Sequence, residues 1–298
     1  MQPEHPHQKI LDQLLHDPQP GVYTDVPFWI YLQIPAINNS KLTRLDHCPA
    51  SIYVPQEDTD ALRFGRALHV FTLEGPVIFQ SLYAVMPECD KRTKEGKAIY
   101  ADFMAKNLSR IPIKKTEVEM IVGMDASLRS HPYAKTLLSQ GQGERTIIWQ
   151  HDETGALCKC RTDWVPGDDH GIIIDLKGLA EVTERKFVNA CIAEDRGYAR
   201  AAAFYLDGTS KATKKKFDLF AFVCVEKEAP YKVEVYTMED DMLAWGRQEY
   251  YRLMRYYRQL EEAGHFPAYV HGGAVPVYRP GWLKDRTTDQ STPQEDKS

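Results

Sequence analysis

Thr162-Asp163-Trp164, a turn at Gly167-Asp168-Asp169-His170-Gly171, and Ile172-Ile173-Ile174-Asp175-Leu176-Lys177 form the stretch whose reading decides the fold. Upstream, Arg145 to Gln150 and Leu157 to Trp164 flank a turn at Asp152-Glu153-Thr154-Gly155, the signature of a β-hairpin. The triple isoleucine then reads as a buried third strand. A strand's period of two sends Asp175 and Lys177 to one face and Leu176 into the core. Asp163 lies near the end of the neighbouring strand. Two carboxylates can therefore converge on a hard cation with an ammonium beside them. Magnesium, or manganese in its place, prefers oxygen ligands and keeps several waters, so two carboxylates plus a substrate phosphate suffice. Such a cation polarises a phosphodiester and lowers the pKa of a bound water, while a lysine orients that water or stabilises developing charge. A carboxylate abutting a buried strand is costly unless paired or metal-bound. The same spacing also fits a strand end with a salt-bridged Asp and Lys, and alone it leaves both readings open.

Outward from this centre the periodicity is helical. Asn38 to Ser40 offers a cap for a short helix that stops before Pro49, and Asp58 or Thr59 caps a helix carrying Leu62, Gly65, Leu68 and His69. Further helices are expected over Thr93 to Asn107 and over Met124 to Leu138, the latter split or kinked at Pro132. Glu184 to Asp195 and Gly197 to Leu206 read as two helices separated near Gly197. Phe217 to Val225 and Tyr231 to Tyr236 read as strands. Asp240 to Ala263 is a long amphipathic helix with Leu243, Tyr250, Leu253, Tyr257 and Leu260 on its core-facing stripe.

The chain of 298 residues is 43% hydrophobic and 11% aromatic, enough for a sizeable core without staples. Residues 1–30 read as a loosely held N-terminal arm, 31–282 as one domain, and 283–298 as a polar, disordered tail. No signal segment or membrane span is evident, and the six scattered cysteines fit reduced thiols in the cytoplasm. Cys158 and Cys160 with His151 lack an evident fourth zinc ligand.

The net charge of −5 is unusual for a protein that handles nucleic acid, so local charge matters more. Arg196 to Lys216 carries six positive residues against Asp207 alone, a net of +5, and Lys91, Arg92, Lys94 and Lys97 face only Glu95. Either run also fits a solvated face. Candidate DNA contacts are Arg196, Arg200, Tyr198, Tyr205, Lys214 and Lys215. Tyr198 and Tyr205 stand seven residues apart on one helical face and equally fit a core.

Ordered segments over much of the chain sharpen this reading. Ile37 to Leu42 with Cys48 to Tyr53, Ala61-Leu-Arg-Phe-Gly-Arg-Ala-Leu-His69, Met86-Pro-Glu88, and Lys91-Arg-Thr-Lys-Glu-Gly-Lys97 resemble the nuclease domain of exonuclease VIII (RecE)-type enzymes of phages and prophages. So do Arg161 to Trp164, Ile174 to Lys177, Ala202 to Tyr205, and Phe222 to Tyr231. The resemblance runs from about Ile37 to about Tyr269. It implies a PD-(D/E)XK restriction-endonuclease-like α/β core, a central mixed sheet flanked by helices, with Asp163, Asp175 and Lys177 catalytic. It also implies that His69 joins Asp163 and Asp175 as a metal ligand, a role spacing alone does not give. The implied activity is metal-dependent exonucleolytic hydrolysis of linear duplex DNA ends for recombination, with a single-strand annealing protein as partner and a homo-oligomeric assembly.

Two positions depart from the family pattern. The usual glutamine four residues before the helix tyrosine is Ala201 here, and the threonine that commonly follows the lysine is Gly178. Ala201 favours the alternative of a catalytically degenerate DNA-binding or interaction protein. The retained Asp163, Asp175, Lys177 and His69 oppose it. An endonuclease on the same fold is a third reading.

Overall fold

The computed structural model describes residues 6–55, 57–167, 169–269, 274 and 276–281. The helices are α1 (Pro6–His16), α2 (Phe28–Gln33), α3 (Asn39–His47), α4 (Asp60–His69), α5 (Pro76–Leu82), α6 (Lys94–Lys106), α7 (Lys115–Ser130), α8 (Pro132–Leu137), α9 (Glu184–Ile192), α10 (Tyr198–Thr213) and α11 (Asp240–Ala263). The strands are β1 (Gly21–Tyr23), β2 (Tyr83–Val85), β3 (Ile111–Ile113), β4 (Gln142–Gln150), β5 (Leu157–Val165), β6 (Ile172–Leu179), β7 (Leu219–Glu226) and β8 (Val233–Thr237).

The main sheet runs β1-β4-β5-β6-β7-β8, and β2 pairs with β3 in a separate two-stranded unit. Only β6 and β7 are parallel within the main sheet, with Asp175 opposite Phe222 and Lys177 opposite Cys224. A parallel pair needs a crossover, which α9 and α10 supply. Residues on the α10 and α11 side, including Trp149, Cys160, Ile173, Phe204, Phe222 and Leu253, form one core. Leu68, Met124, Leu128, Ile174, Leu176 and Val223 form the other, under α4 and α7. Strands covered on both faces explain the unbroken apolar runs of β6 and β7.

β5 and β6 are in register only at Trp164 opposite Ile174. One edge of β5 is wholly taken by β4, so the parallel bridge of Ile37 to Cys158 occupies the same edge that β6 meets. The two strands therefore fork, and Asp163 stands in the fork.

The expected elements are present, with adjusted ends. Asn38 caps α3, Thr59 caps α4 and Thr93 caps α6, each side chain accepting a backbone N–H. α7 begins at Lys115, well before Met124, where Glu117 accepts the Lys114 N–H at 2.9 Å. Pro132 opens a separate helix, as its missing N–H requires. α10 continues past Leu206 through Gly208, whose Cβ would lie 2.6 Å from the Trp149 ring. That glycine serves a close approach and does not stop the helix.

The N-terminal segment corrects an expectation. Where described, residues 6–30 are not a loose arm: Leu11, Leu14, Val26 and Ile30 are buried around Ile148 of β4. The Lys159 ammonium, on a fully buried side chain, donates to the carbonyls of Tyr31 at 2.5 Å and Ile34 at 2.8 Å, closing the C-terminal end of α2. The tail expected over 283–298 lies outside the described residues. Cys158 and Cys160 are buried in the sheet core, and burial pushes both thiols up. No helix among the described residues is long and apolar enough to cross a membrane.

Candidate active site

The fork between β5 and β6 leaves the Leu176 peptide without a strand partner on the β5 side, and two side chains take its polar groups. Asp163 Oδ2 accepts the Leu176 N–H at 3.0 Å, and His69 Nε2 stands 2.8 Å from the Leu176 carbonyl. A carbonyl can only accept, so Nε2 carries the hydrogen. In the neutral ring the Nδ1 lone pair then faces Asp163 Oδ1 across 3.6 Å. A proton or a cation can bridge a nitrogen and a carboxylate oxygen at that separation. A ring N–H fixed by a backbone carbonyl is also how metal-binding histidines are oriented.

Asp175 and Lys177 project from the opposite face of β6 to Leu176, toward α10. Asp175 is 9% exposed, and its Oδ2 is in ion-pair contact with the Lys177 ammonium. Burial pushes the Asp175 carboxyl up to about 6; Lys177 opposes this and Asp163 adds to it. Burial works against the Lys177 charge, but Asp175 and Asp163 outweigh it and hold its pKa above the ordinary value. The pair titrates as a unit. Tyr198 and Phe222 wall the ammonium at 5.6 and 5.9 Å, cation–π distances, and stack on each other at 5.4 Å.

No group of three or more His, Cys, Asp or Glu placed to hold a metal ion occurs among the described residues. Each carboxylate is engaged by the protein, Asp163 by the Leu176 N–H and Asp175 by Lys177. The residues nonetheless fit a hard divalent cation. Asp175 is buried with a displaceable ammonium on its Oδ2, and Asp163 Oδ1 stands 3.6 Å from His69 Nδ1.

The structure separates the expected DNA contacts. Arg200 is 3% exposed; its guanidinium donates to Asn39 Oδ1 at 3.0 Å and Thr43 Oγ1 at 2.6 Å and pairs with Asp46 at 3.5 Å. It ties α10 to α3 and is not open to DNA. Tyr205 packs against Phe220 at 6.3 Å, and burial foremost holds its phenol far above the usual range, with Tyr31, Cys160, Asp175 and Asp163 adding to it. Tyr198 lines the lysine and Arg196 is exposed beside it. Lys214 and Lys215 lie past the far end of α10, roughly 22 Å along the axis from Tyr198. There Lys215 pairs with Asp169 at 2.9 Å, Lys216 with Asp218 at 2.5 Å, and Lys211 with Asp152. The positive run in the sequence is thus dispersed and largely paired, because one helix separates its ends.

Gly178 has a packing cause. A Cβ there would meet Leu68 at 3.2 Å and Met124 at 3.3 Å, so α4 and α7 pack closely over this position and a threonine needs both side-chain ends to give by a few tenths of an ångström. Ala201 lies on the stripe of α10 that carries Tyr198 and Tyr205. Sequence reading did not find Phe222, which sits in an apolar run with no polar signal. Nor did it find the Leu176 peptide, whose role comes from the fork alone.

The model of the PDDEXK-like domain of unknown function DUF3799 matches residues 39–275. A search of curated proteins gives no match. Among solved structures, a provisionally designated exonuclease from Eubacterium rectale superposes with a TM-score of 0.52 at 13% identity, covering 82% of this chain and 91% of that one. An alkaline exonuclease from Laribacter hongkongensis gives 0.27 at 13% identity over 66% of this chain and 91% of its own, too low a score to carry a shared fold. The mixed sheet flanked by helices, with Asp163 at the strand fork and Asp175 and Lys177 on the next strand, is an α/β restriction-endonuclease-like architecture, and the chain belongs to the PDDEXK-like DUF3799 family.

Proposed function

We propose that this chain is a metal-dependent deoxyribonuclease that hydrolyses phosphodiester bonds at the ends of linear duplex DNA. The observation that carries this reading is the buried Asp175, paired through Oδ2 with Lys177, beside Asp163 and His69. A buried carboxylate is costly unless paired, and here the ammonium that pairs with Asp175 belongs to a side chain that a divalent cation can displace. Asp163, Asp175 and His69 would hold magnesium, or manganese in its place. When bound, the cation supplies Lewis-acid polarisation of the phosphate and activation of a water.

The chain's own groups do the rest. Leu176, held at both its N–H and carbonyl, fixes the spacing of Asp175 and Lys177. Lys177 is kept protonated by the carboxylates, and its ammonium exchanges the Asp175 contact for the attacking water or the developing phosphate charge. Tyr198 and Phe222 keep it aimed into the site and exclude solvent behind it.

End resection ahead of a single-strand annealing protein is the role this activity would serve. Ala201 supports a second reading, a binder on the same fold that has lost turnover. Incubating purified protein with magnesium and either linear or covalently closed duplex DNA tests both. The expected result is loss of the linear form alone. Cutting of closed circles would make it an endonuclease, and no metal-stimulated cleavage of either would favour the binder.

A further inference from the structure

With the lysines at the end of α10 largely paired and remote, a second concentration of positive charge on this acidic chain stands out. Between Glu88 and Lys115 eight lysines and arginines face four carboxylates, a net of +4, which leaves −9 on the rest of a chain of net −5. This segment joins β2 to β3 and has α6 at its centre. Gly96 is the one buried residue of α6; a Cβ there would come within 2.0 Å of the Asp90 carbonyl, so the preceding loop folds tightly on the helix start. Every other residue of α6 is exposed or half-buried, and Leu108 just beyond is 87% exposed. The segment is an outlying arm with little core of its own.

Its base is firm. Tyr83 of β2 stacks on Phe79 at 4.8 Å, and both are buried with Ile113 of β3 against Phe64 and Leu68 of α4. α4 ends at His69, so the arm is anchored on the helix that supplies a candidate site residue. Three of its basic residues are paired: Arg92 with Asp90 at 3.0 Å, Lys106 with Asp102 at 2.8 Å and Lys115 with Glu88 at 3.5 Å. Lys91, Lys94 and Lys97 have no carboxylate partner among the described residues. Lys91 instead lies 3.5 Å over the Tyr100 ring. Lys94 and Lys97 are three apart on one face. Cations in a first helical turn oppose the macrodipole and lower helix stability. A merely solvated helix gains nothing from that arrangement, whereas a polyanion compensates it.

Building on the nuclease reading, we infer that the β2–α6–β3 arm is a docking surface for the phosphate backbone of duplex DNA, with Lys91, Lys94 and Lys97 as its contacts. It holds the duplex outside the cleavage site. α6 spans about 20 Å, the length of several phosphates at about 3.4 Å per strand step.

The test measures binding of a fluorescent duplex oligonucleotide to the full chain in EDTA, where cleavage is silent, across a range of salt. Wild type is compared with Lys91→Gln/Lys94→Gln/Lys97→Gln and with Lys211→Gln/Lys215→Gln/Lys216→Gln, all checked by circular dichroism. Losing three phosphate contacts lowers the slope of log K against log salt by about 3 and weakens binding on the order of 100-fold near 0.15 M salt. The α10 triple variant is expected to bind as wild type does. Wild-type-like affinity and slope in the arm variant would overturn the arm while leaving the nuclease reading intact. Failure of the wild type to bind duplex at any salt would overturn both.

Discussion

Asp163→Asn separates the structural part of the site from its chemistry. Asp163 does two things at once: Oδ2 accepts the Leu176 N–H at 3.0 Å, and Oδ1 faces His69 Nδ1 at 3.6 Å. An asparagine amide can place its oxygen where Oδ2 stands and keep the first interaction. A hydrogen bond to a charged acceptor is worth roughly 1.5–3 kcal/mol and a neutral one roughly 0.5–1.5, so the change costs about 1 kcal/mol. In a chain of this size that lowers the melting temperature by about 2 °C. The amide NH2 then points at His69 Nδ1 and donates to it, occupying the place a cation needs. Thermal unfolding with and without magnesium, alongside cleavage of linear duplex, reads both effects. The variant is expected to fold, to lose the magnesium-induced stabilisation of the wild type, and to lose cleavage by about 10³-fold or more, as removal of a principal charge-stabilising group does. Magnesium stabilisation and cleavage that survive in Asp163→Asn would refute the reasoning.

Other perturbations test the surroundings. Arg200→Ala should destabilise by about 3 kcal/mol, since it strips Asn39, Thr43 and Asp46 of a buried partner, and urea unfolding would show it; a silent substitution would mean the guanidinium is not structural. Gly178→Thr should cost about 1–3 kcal/mol by forcing Leu68 and Met124 aside, and Tm reports it. Burial, with a smaller push from Lys41, pulls the Lys159 ammonium down to about 7 from an ordinary 10.5. The unfolded chain therefore binds more protons between those values, so stability should rise with pH from about 7 toward 10.5, and Lys159→Met should flatten that rise.

The sequence made the sheet centre readable because Asp175-Leu176-Lys177 and the hairpin obey a strict period of two, and the helices because Asn38, Thr59, Thr93 and Pro132 mark their ends. The burial of residues 6–30 was hidden, since the ammonium that closes α2 belongs to Lys159, over a hundred residues away. The helix expected to end at Leu206 continues to Thr213, and only the fold shows the close approach of Trp149 to Gly208 within it. Arg200 looked like a DNA contact because net charge along a chain says nothing about which side of a helix a guanidinium takes. The candidate site was legible as residue types, but its organising element, the Leu176 peptide held in a strand fork, is a backbone feature without a residue signature.

The central claim is that Asp163, Asp175 and His69 meet at one cation, and manganese diffused into a crystal tests it most directly through its anomalous scattering. The account predicts a peak between the two carboxylates and His69 Nδ1, at about 2.1–2.3 Å from its ligands, with Lys177 displaced from Asp175. Manganese bound elsewhere, with the Asp175–Lys177 contact unchanged, would contradict it.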